Sequence, residues 1–339
     1  MEEGENQQNF TNDLSGAAVP AAERMPVQKQ LFVLAGVLGT MFMLGGATMY
    51  FSKDTPEADD QVATTVTPVK ENDDGKAATL SQLSLVASSA FAIDVHSGQV
   101  FYEKEAEKKR PLASITKLMT ALVAKEIIEE GEIVPITAAA VEQAGESGLT
   151  VGERFSYQKL SDLVLLSSSN DGAYALSATA GAALNPSAPD AAFVKAMNVR
   201  ARELGLTSTT FRNPTGLDIS EDEAGAYGTA KDVAELMSYV LKNYPELLEE
   251  TTKSESWIAS QDGEMHEANN TNLVIGEIAK VIGSKTGYTT LAGGNLVVAF
   301  DAGLDRPVVA VVLGSSYQGR FSDMVKLVEA IKNEINSEN

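Results

Sequence analysis

The 339-residue sequence contains no cysteine, so a disulfide framework, thiol catalysis and cysteine-ligated zinc are excluded together. The absence does not fix a compartment. Histidine is almost as scarce, with only two in the chain. His96, in DVHSGQV, reads as the turn between two strands, and His266 lies in the polar stretch QDGEMHEANN. Neither has a second histidine at ligand spacing, so no metal is expected, and both read as surface or turn residues. A nucleophile in this chain therefore needs an activating base other than histidine. Basic residues are also outnumbered, 26 against 47 acidic, for a net charge of −21. With no basic cluster, nucleic acid is not an expected partner, and the acidic surplus reads as a well-solvated surface.

One long hydrophobic run is present. Residues 31–51, LFVLAGVLGTMFMLGGATMYF, carry no charge and match the about 20 residues a helix needs to cross a bilayer. Polar stretches on both sides leave nothing for a core helix to pack against, so the run reads as a single transmembrane helix. The tail before it, residues 1–30, is long and acidic, unlike the short basic start of a signal peptide. Arg24 and Lys29 precede the span and Lys53 follows it, which places the disordered tail in the cytoplasm and the main domain outside. Residues 52–82 are rich in Asp, Thr and Pro without periodicity and read as a flexible acidic linker. From residue 83 to 339 the composition is that of one folded domain.

Within that domain SLVASSAFAIDV and QVFYEK are strand-like. A helix is predicted from Ser114 to near Gly131. The segments YQKLSDLVLL, DGAYALSATAG, PDAAFVKAMNVRARELG and TAKDVAELMSYVLKNY carry apolar residues at helical spacing. Strands return after about residue 253: SESWIAS, AKVIGSKTGYT, GNLVVAFDAG and RPVVAVVLGSS. The short Gly, Asp and Pro turns between them suit antiparallel neighbours. The last segment is an amphipathic helix with Phe321, Met324, Val325, Val328, Ile331 and Ile335 on one face. Strands at both ends of a helical middle predict an α+β fold, an antiparallel sheet flanked by helices.

Three short motifs carry chemistry. In PLASITKLMTA, Ser114 and Lys117 are three residues apart and share a helix face. Apolar neighbours such as Leu118, Met119 and Leu122 desolvate the lysine, which lowers its pKa and makes a neutral amine usable as a base. The pattern is a serine–lysine nucleophile pair that needs no histidine. It is also cheap: Ser156 and Lys159 match it, and there the serine reads as a helix cap and the lysine as solvated. In LLSSSNDGA, Ser168 offers a hydroxyl for proton relay and Asn170 an amide, between two helical segments. In VIGSKTGYTT, Lys285 and Thr286 could bind a carboxylate, and Gly287 lets a substrate backbone approach. The plainer reading of that stretch is an exposed edge strand with a solubilising lysine.

Ser-x-x-Lys, Ser-x-Asn and Lys-Thr-Gly in this order form the signature of penicillin-recognising serine enzymes. With the flanking runs FRNPTGLD, YGTAKDVAEL and SKTGYTTLAGGNLV, residues 84–335 resemble the D-alanyl-D-alanine carboxypeptidase family of low-molecular-weight penicillin-binding proteins. The resemblance implies a β-lactamase/transpeptidase-like fold with a helical subdomain, no cofactor, and a bacterial cell membrane as the anchoring surface. It implies Ser114 as the acylated nucleophile and Lys117 as its general base. Ser168 and Lys285 would pass the proton to the leaving D-alanine, and Asn170 would hold the amide side. Thr286, with Lys285 and beside Gly287, would receive the terminal carboxylate. The backbone N–H groups of Ser114 and Tyr288 would form the oxyanion hole. The substrate would be a peptidoglycan stem peptide ending in D-Ala-D-Ala, with β-lactams as covalent inhibitors of Ser114.

Two departures from the family pattern stand out. Thr215 occupies a position that is usually histidine, for which altered cleft detail rather than loss of activity is expected. Many relatives also carry a further β-rich domain and a C-terminal amphipathic anchor, for which this chain reads as too short. A D,D-endopeptidase uses the same residues and is the main alternative. A β-lactamase is disfavoured because no glutamate loop of the class A type is evident between Asn170 and Lys285. An inactive wall-binding module is disfavoured by the three intact motifs.

Overall fold

A computed structural model describes residues 79–145, 147–303 and 305–338. The expected membrane span at 31–51, the tail before it and the linker as far as residue 78 lie outside the described residues. A one-turn 3-10 helix, Leu80–Gln82, ends the expected linker, and Leu80 packs against buried apolar residues of the domain.

β1 (Ser89–Asp94) and β2 (Val100–Lys104) form a hairpin with His96 in its turn. β3 (Arg110–Pro111) leads through a 3-10 turn, Ala113–Ile115, into α1 (Thr116–Ile127). The helical middle holds β4 (Ile133–Pro135), α2 (Ala138–Val141), β5 (Arg154–Ser156), α3 (Tyr157–Leu166), α4 (Asn170–Leu184) and α5 (Pro189–Glu203). β6 (Thr210–Phe211), β7 (Ala226–Gly228) and α6 (Ala230–Asn243) return the chain toward the sheet. The hairpin β8 (Glu255–Ala259) and β9 (Met265–Asn269) follows. Then come β10 (Val281–Thr289), β11 (Gly293–Asp301), β12 (Pro307–Ser315) and α7 (Gly319–Glu338).

The main sheet has the order β10-β11-β12-β1-β2, and every pairing in it is antiparallel, as the short turns predict. The first strand therefore pairs with the last, and the helical middle is an insertion between them. Alternation along the strands sends side chains to two cores. Val297, Ala299, Val309, Val311 and Leu313 face the helical middle, while Leu296, Val298, Phe300, Val308, Ala310 and Val312 face α7. Both faces are covered, which is why the runs NLVVAF and PVVAVVL are apolar throughout instead of alternating with polar residues. Each fully buried side chain of this size contributes about 1.5–3 kcal/mol. The apolar stripe of α7 sits where expected, with Phe321, Met324, Val328, Ile331 and Ile335 buried.

Several expectations need correction. The first strand begins at Ser89 instead of Ser84, because Val86 and Ala87 donate their amides to the Asp323 carboxylate, at 2.9 and 2.7 Å. Ser114 lies in the 3-10 turn ahead of α1, and α1 ends at Ile127. His266 is neither a surface nor a turn residue. It sits in β9 with its imidazole largely buried, 3.1 Å from a Glu153 carboxylate oxygen and packed on the Phe155 ring. β9 itself, MHEAN, shows little apolar pattern because it forms one strand of a hairpin in which Ala268 alone of its residues is buried.

Candidate active site

The approach to Ser114 is clamped from both sides. Asn295 of β11, fully buried, donates to the carbonyls of Pro111 and Leu112 at 3.0 Å each and accepts from the Gly314 amide at 2.8 Å. Ala113, the next residue, is held at φ +49, a left-handed backbone that a residue with a Cβ adopts at a cost of about 1–2 kcal/mol. Such strain collects at functional sites, where the surroundings over-determine the conformation. Ser114 keeps partial exposure, while Lys117 is wholly buried.

The Lys117 amine lies 2.9 Å from Ser114 Oγ and donates to Asn170 Oδ1 at 2.7 Å and to the Thr215 carbonyl at 3.0 Å. Burial holds its pKa well below the ordinary lysine value, and the positive charge of Lys285 lowers it further. Kept neutral in this way, the amine has two protons, enough for Asn170 Oδ1 and the Thr215 carbonyl, and its lone pair can take the Ser114 proton, so the hydroxyl has a base in place. The second match to the motif has no such setting. Ser156 caps α3 by accepting from the Lys159 amide, and the half-exposed Lys159 side chain pairs with Asp162.

Ser168 and Asn170 come from the tight link between α3 and α4. Ser169 caps α4 through the Gly172 amide at 2.9 Å, and Ser168 is left at φ +65, again left-handed without being glycine. Asn170 is the first residue of α4, so its side chain points out of the helix start. Its Oδ1 accepts a hydrogen bond from the Lys117 amine and its Nδ2 donates to the Ala144 carbonyl at 2.5 Å, leaving one Nδ2 proton uncommitted by these bonds. The three partners of the Lys117 amine do not include Ser168.

The third motif lies on β10, which is an edge strand as the plainer reading holds, but its lysine is not a surface residue. Lys285 is 1% exposed and its amine donates to the Thr286 carbonyl at 3.2 Å. Burial, helped by the Arg320 charge, lowers its pKa to about 7. Thr286 is buried and its hydroxyl donates to the Thr271 hydroxyl at 2.6 Å. A Cβ on Gly287 would stand 2.8 Å from the Leu112 carbonyl and 3.2 Å from the Ile115 amide nitrogen. The glycine thus lets β10 lie against the 3-10 turn that carries Ser114. That close contact is made by the protein's own backbone, which the sequence reading did not anticipate.

Other participants have no motif. Arg320, at the start of α7 and nearly buried, donates to the Gly287 carbonyl at 3.0 Å, and its Nε is buried with no partner among the described residues. The half-exposed rings of Tyr288 and Tyr317 flank its guanidinium, with ring centroids 5.8 and 4.4 Å away. Arg320 lies off the apolar stripe of its helix, so periodicity carries no signal for it. Asn295, a polar residue inside an apolar strand, is one that sequence could have flagged. The run NPTGLD supplies a backbone acceptor, the Thr215 carbonyl. The Thr215 hydroxyl closes a local turn, donating to Asn213 and accepting from the Leu217 amide, at 3.2 Å each. Thr120, one turn after Lys117, donates to the neighbouring Pro214 carbonyl at 2.6 Å. Gly216, at φ +80, packs so tightly on the Ala113 carbonyl that any Cβ would overlap it.

Ser114, Lys117 and Asn170 are thus joined by hydrogen bonds, and Lys285 is coupled to Lys117 by charge. Thr286 and Gly287 stand on the strand packed against the nucleophile turn. Residues 76–317 match the D-alanyl-D-alanine carboxypeptidase family, peptidase S11. The D-alanyl-D-alanine carboxypeptidase DacF of Bacillus subtilis is 31% identical over 271 residues, covering 76% of this chain and 64% of its own length. A D-alanyl-D-alanine endopeptidase of Pseudomonas aeruginosa is 31% identical over 270 residues, covering 77% of this chain and 82% of its own. Among solved structures, the Streptomyces K15 DD-transpeptidase superposes with a TM-score of 0.66 at 26% identity, covering 73% of this chain and 97% of that one. The motifs lie in one site, the sheet and helices have the transpeptidase arrangement, and the match spans most of the chain: this protein belongs to the D-alanyl-D-alanine carboxypeptidase family.

Proposed function

We propose that the protein is a serine D-Ala-D-Ala carboxypeptidase that removes the terminal D-alanine from peptidoglycan stem peptides. The observation that carries this reading is the Lys117 amine, wholly buried and 2.9 Å from Ser114 Oγ. Ser114 Oγ attacks the carbonyl of the penultimate D-alanine while Lys117 takes its proton. The backbone N–H groups of Ser114 and Tyr288 receive the oxyanion. As the C–N bond breaks, a proton passes through Ser168 and Lys285 to the amine of the departing D-alanine. The remaining Nδ2 proton of Asn170 is available to the substrate amide. Thr286 takes the terminal carboxylate, with Lys285 and the Arg320 guanidinium supplying positive charge behind it. Water then cleaves the acyl-enzyme ester. A β-lactam forms the same ester with Ser114 and leaves slowly.

Endopeptidase activity on cross-links is the second reading, favoured by the endopeptidases of Pseudomonas aeruginosa and Escherichia coli among the relatives. Mass spectrometry of muropeptides incubated with the protein separates the two. We expect pentapeptides to lose one D-alanine while cross-linked dimers persist; cleaved dimers beside intact pentapeptides would reverse the assignment.

Anchoring by residues 31–51 as a single-pass span, with the N-terminus in the cytoplasm, also belongs to this proposal. It rests on the uncharged run and its flanking charges. The full chain should sediment with membranes after an alkaline carbonate wash, and a chain starting at residue 53 should not. Release of the full chain by that wash would refute an integral span.

A further inference from the structure

Thr271 lies outside all three motifs, in the loop after β9, yet it touches two walls of the site. Its backbone N–H donates to the Leu166 carbonyl at 3.2 Å, at the end of α3 and two residues before Ser168. Its hydroxyl meets Thr286 at 2.6 Å. The flanking residues hold it there. Asn270 donates to the Thr251 and Lys253 carbonyls at 2.9 and 2.7 Å, and Asn272 is almost fully buried. Thr251 in turn accepts from the Ser284 amide of β10 at 3.1 Å, so the loop is stitched to the same strand that carries Thr286.

Each hydroxyl has one proton and two lone pairs. In the structure Thr286 donates to Thr271, so its own proton is turned away from any anion placed over β10. A carboxylate accepts only. Thr286 can serve it only by redirecting its proton, which would leave the buried Thr286 oxygen facing Thr271. Thr271 can reverse its role and donate to that oxygen. Both protons then run in one direction toward the anion, and such chains strengthen one another. An aliphatic residue such as valine can neither accept in the empty site nor donate in the loaded one.

We propose that Thr271 is a positioning residue for recognition of a C-terminal carboxylate, acting through its hydroxyl contact with Thr286. The proposal rests on the carboxypeptidase reading above. It names the part of the substrate concerned, the free α-carboxylate of the last residue, and distinguishes it from the amide next to the scissile bond.

The test compares a peptide ending in D-Ala-D-Ala with the same peptide bearing a C-terminal amide, using the full chain and its Thr271→Val and Thr271→Ser variants. Thr271→Val should raise KM for the acid roughly three- to tenfold, the effect of losing one such hydrogen bond. It should leave kcat/KM for the amide unchanged, and Thr271→Ser should restore the acid KM. Stoichiometric labelling by penicillin identifies the folded fraction of each protein. Equal losses on acid and amide, no change in the acid KM, or a serine variant as impaired as valine would overturn the proposal. Failure of the wild type to release D-alanine from the acid would instead remove the carboxypeptidase reading, and the proposal with it.

Discussion

Ser114→Ala will abolish covalent labelling by a fluorescent penicillin, and Lys117→Met will slow it by roughly 10²–10⁴, the usual contribution of a positioned general base. The two effects differ in kind. Without Ser114 Oγ there is no atom to acylate, so no band should form at any concentration or time. Without the Lys117 amine the hydroxyl remains but keeps its proton, since no other base stands within 2.9 Å in the bonds observed here. Methionine fills the buried volume without a charge, so the site should still assemble, although Asn170 Oδ1 and the Thr215 carbonyl lose a donor. Ser156→Ala should label at the wild-type rate, because Ser156 only caps α3. The measurement is a time course of labelling resolved on gels, with the modified peptide identified by mass spectrometry. Persistent labelling of the Ser114→Ala protein would refute the assignment of the nucleophile.

Lys285→Met will make the protein more stable while removing activity. Lys285 is 1% exposed, and burial lowers its pKa from 10.5 to about 7. In the unfolded chain the amine keeps its ordinary affinity for protons. Between pH 7 and about 10.5 the unfolded state therefore binds more protons, and wild-type stability climbs with pH through that window. Integrated across it, the difference is on the order of 5 kcal/mol. Below pH 7 the folded protein carries a charged, desolvated amine and bears the whole cost. Methionine has no such dependence and also relieves the repulsion that Lys285 exerts on Lys117. Urea unfolding at pH 6 should thus show the variant ahead by several kcal/mol, and the gap should narrow by pH 9.5. A gap that did not change with pH would mean that the Lys285 amine is solvated. The cost borne by the wild type is of the kind seen where function sets a residue against stability.

Much of the domain was legible from residue order. The helical segments from Tyr157 to Asn243 and the late strands follow directly from apolar periodicity, because local period and buried face coincide there. Where they do not coincide, residue order does not mark the element. β9 carries charged and exposed residues on a two-stranded hairpin, and the start of β1 was shortened by the Asp323 carboxylate, 236 residues away in sequence from Ala87.

The site divides the same way. Residue order alone singled out Ser114, Lys117, Ser168 and Lys285 as the candidate hydroxyls and amines, because three spaced motifs appear together and in sequence. It also implied a desolvated Lys117, since the residues around it are apolar. Only the tertiary structure decided what those groups meet. The Lys117 amine rests on a carbonyl of Thr215, and backbone atoms leave no mark in side-chain spacing. Lys285 could equally have faced solvent from its edge strand; packing of the Ser114 turn against β10 leaves it a buried, weakly basic amine. Arg320 and Thr271 reach the site through long-range contacts to β10, which no local pattern encodes.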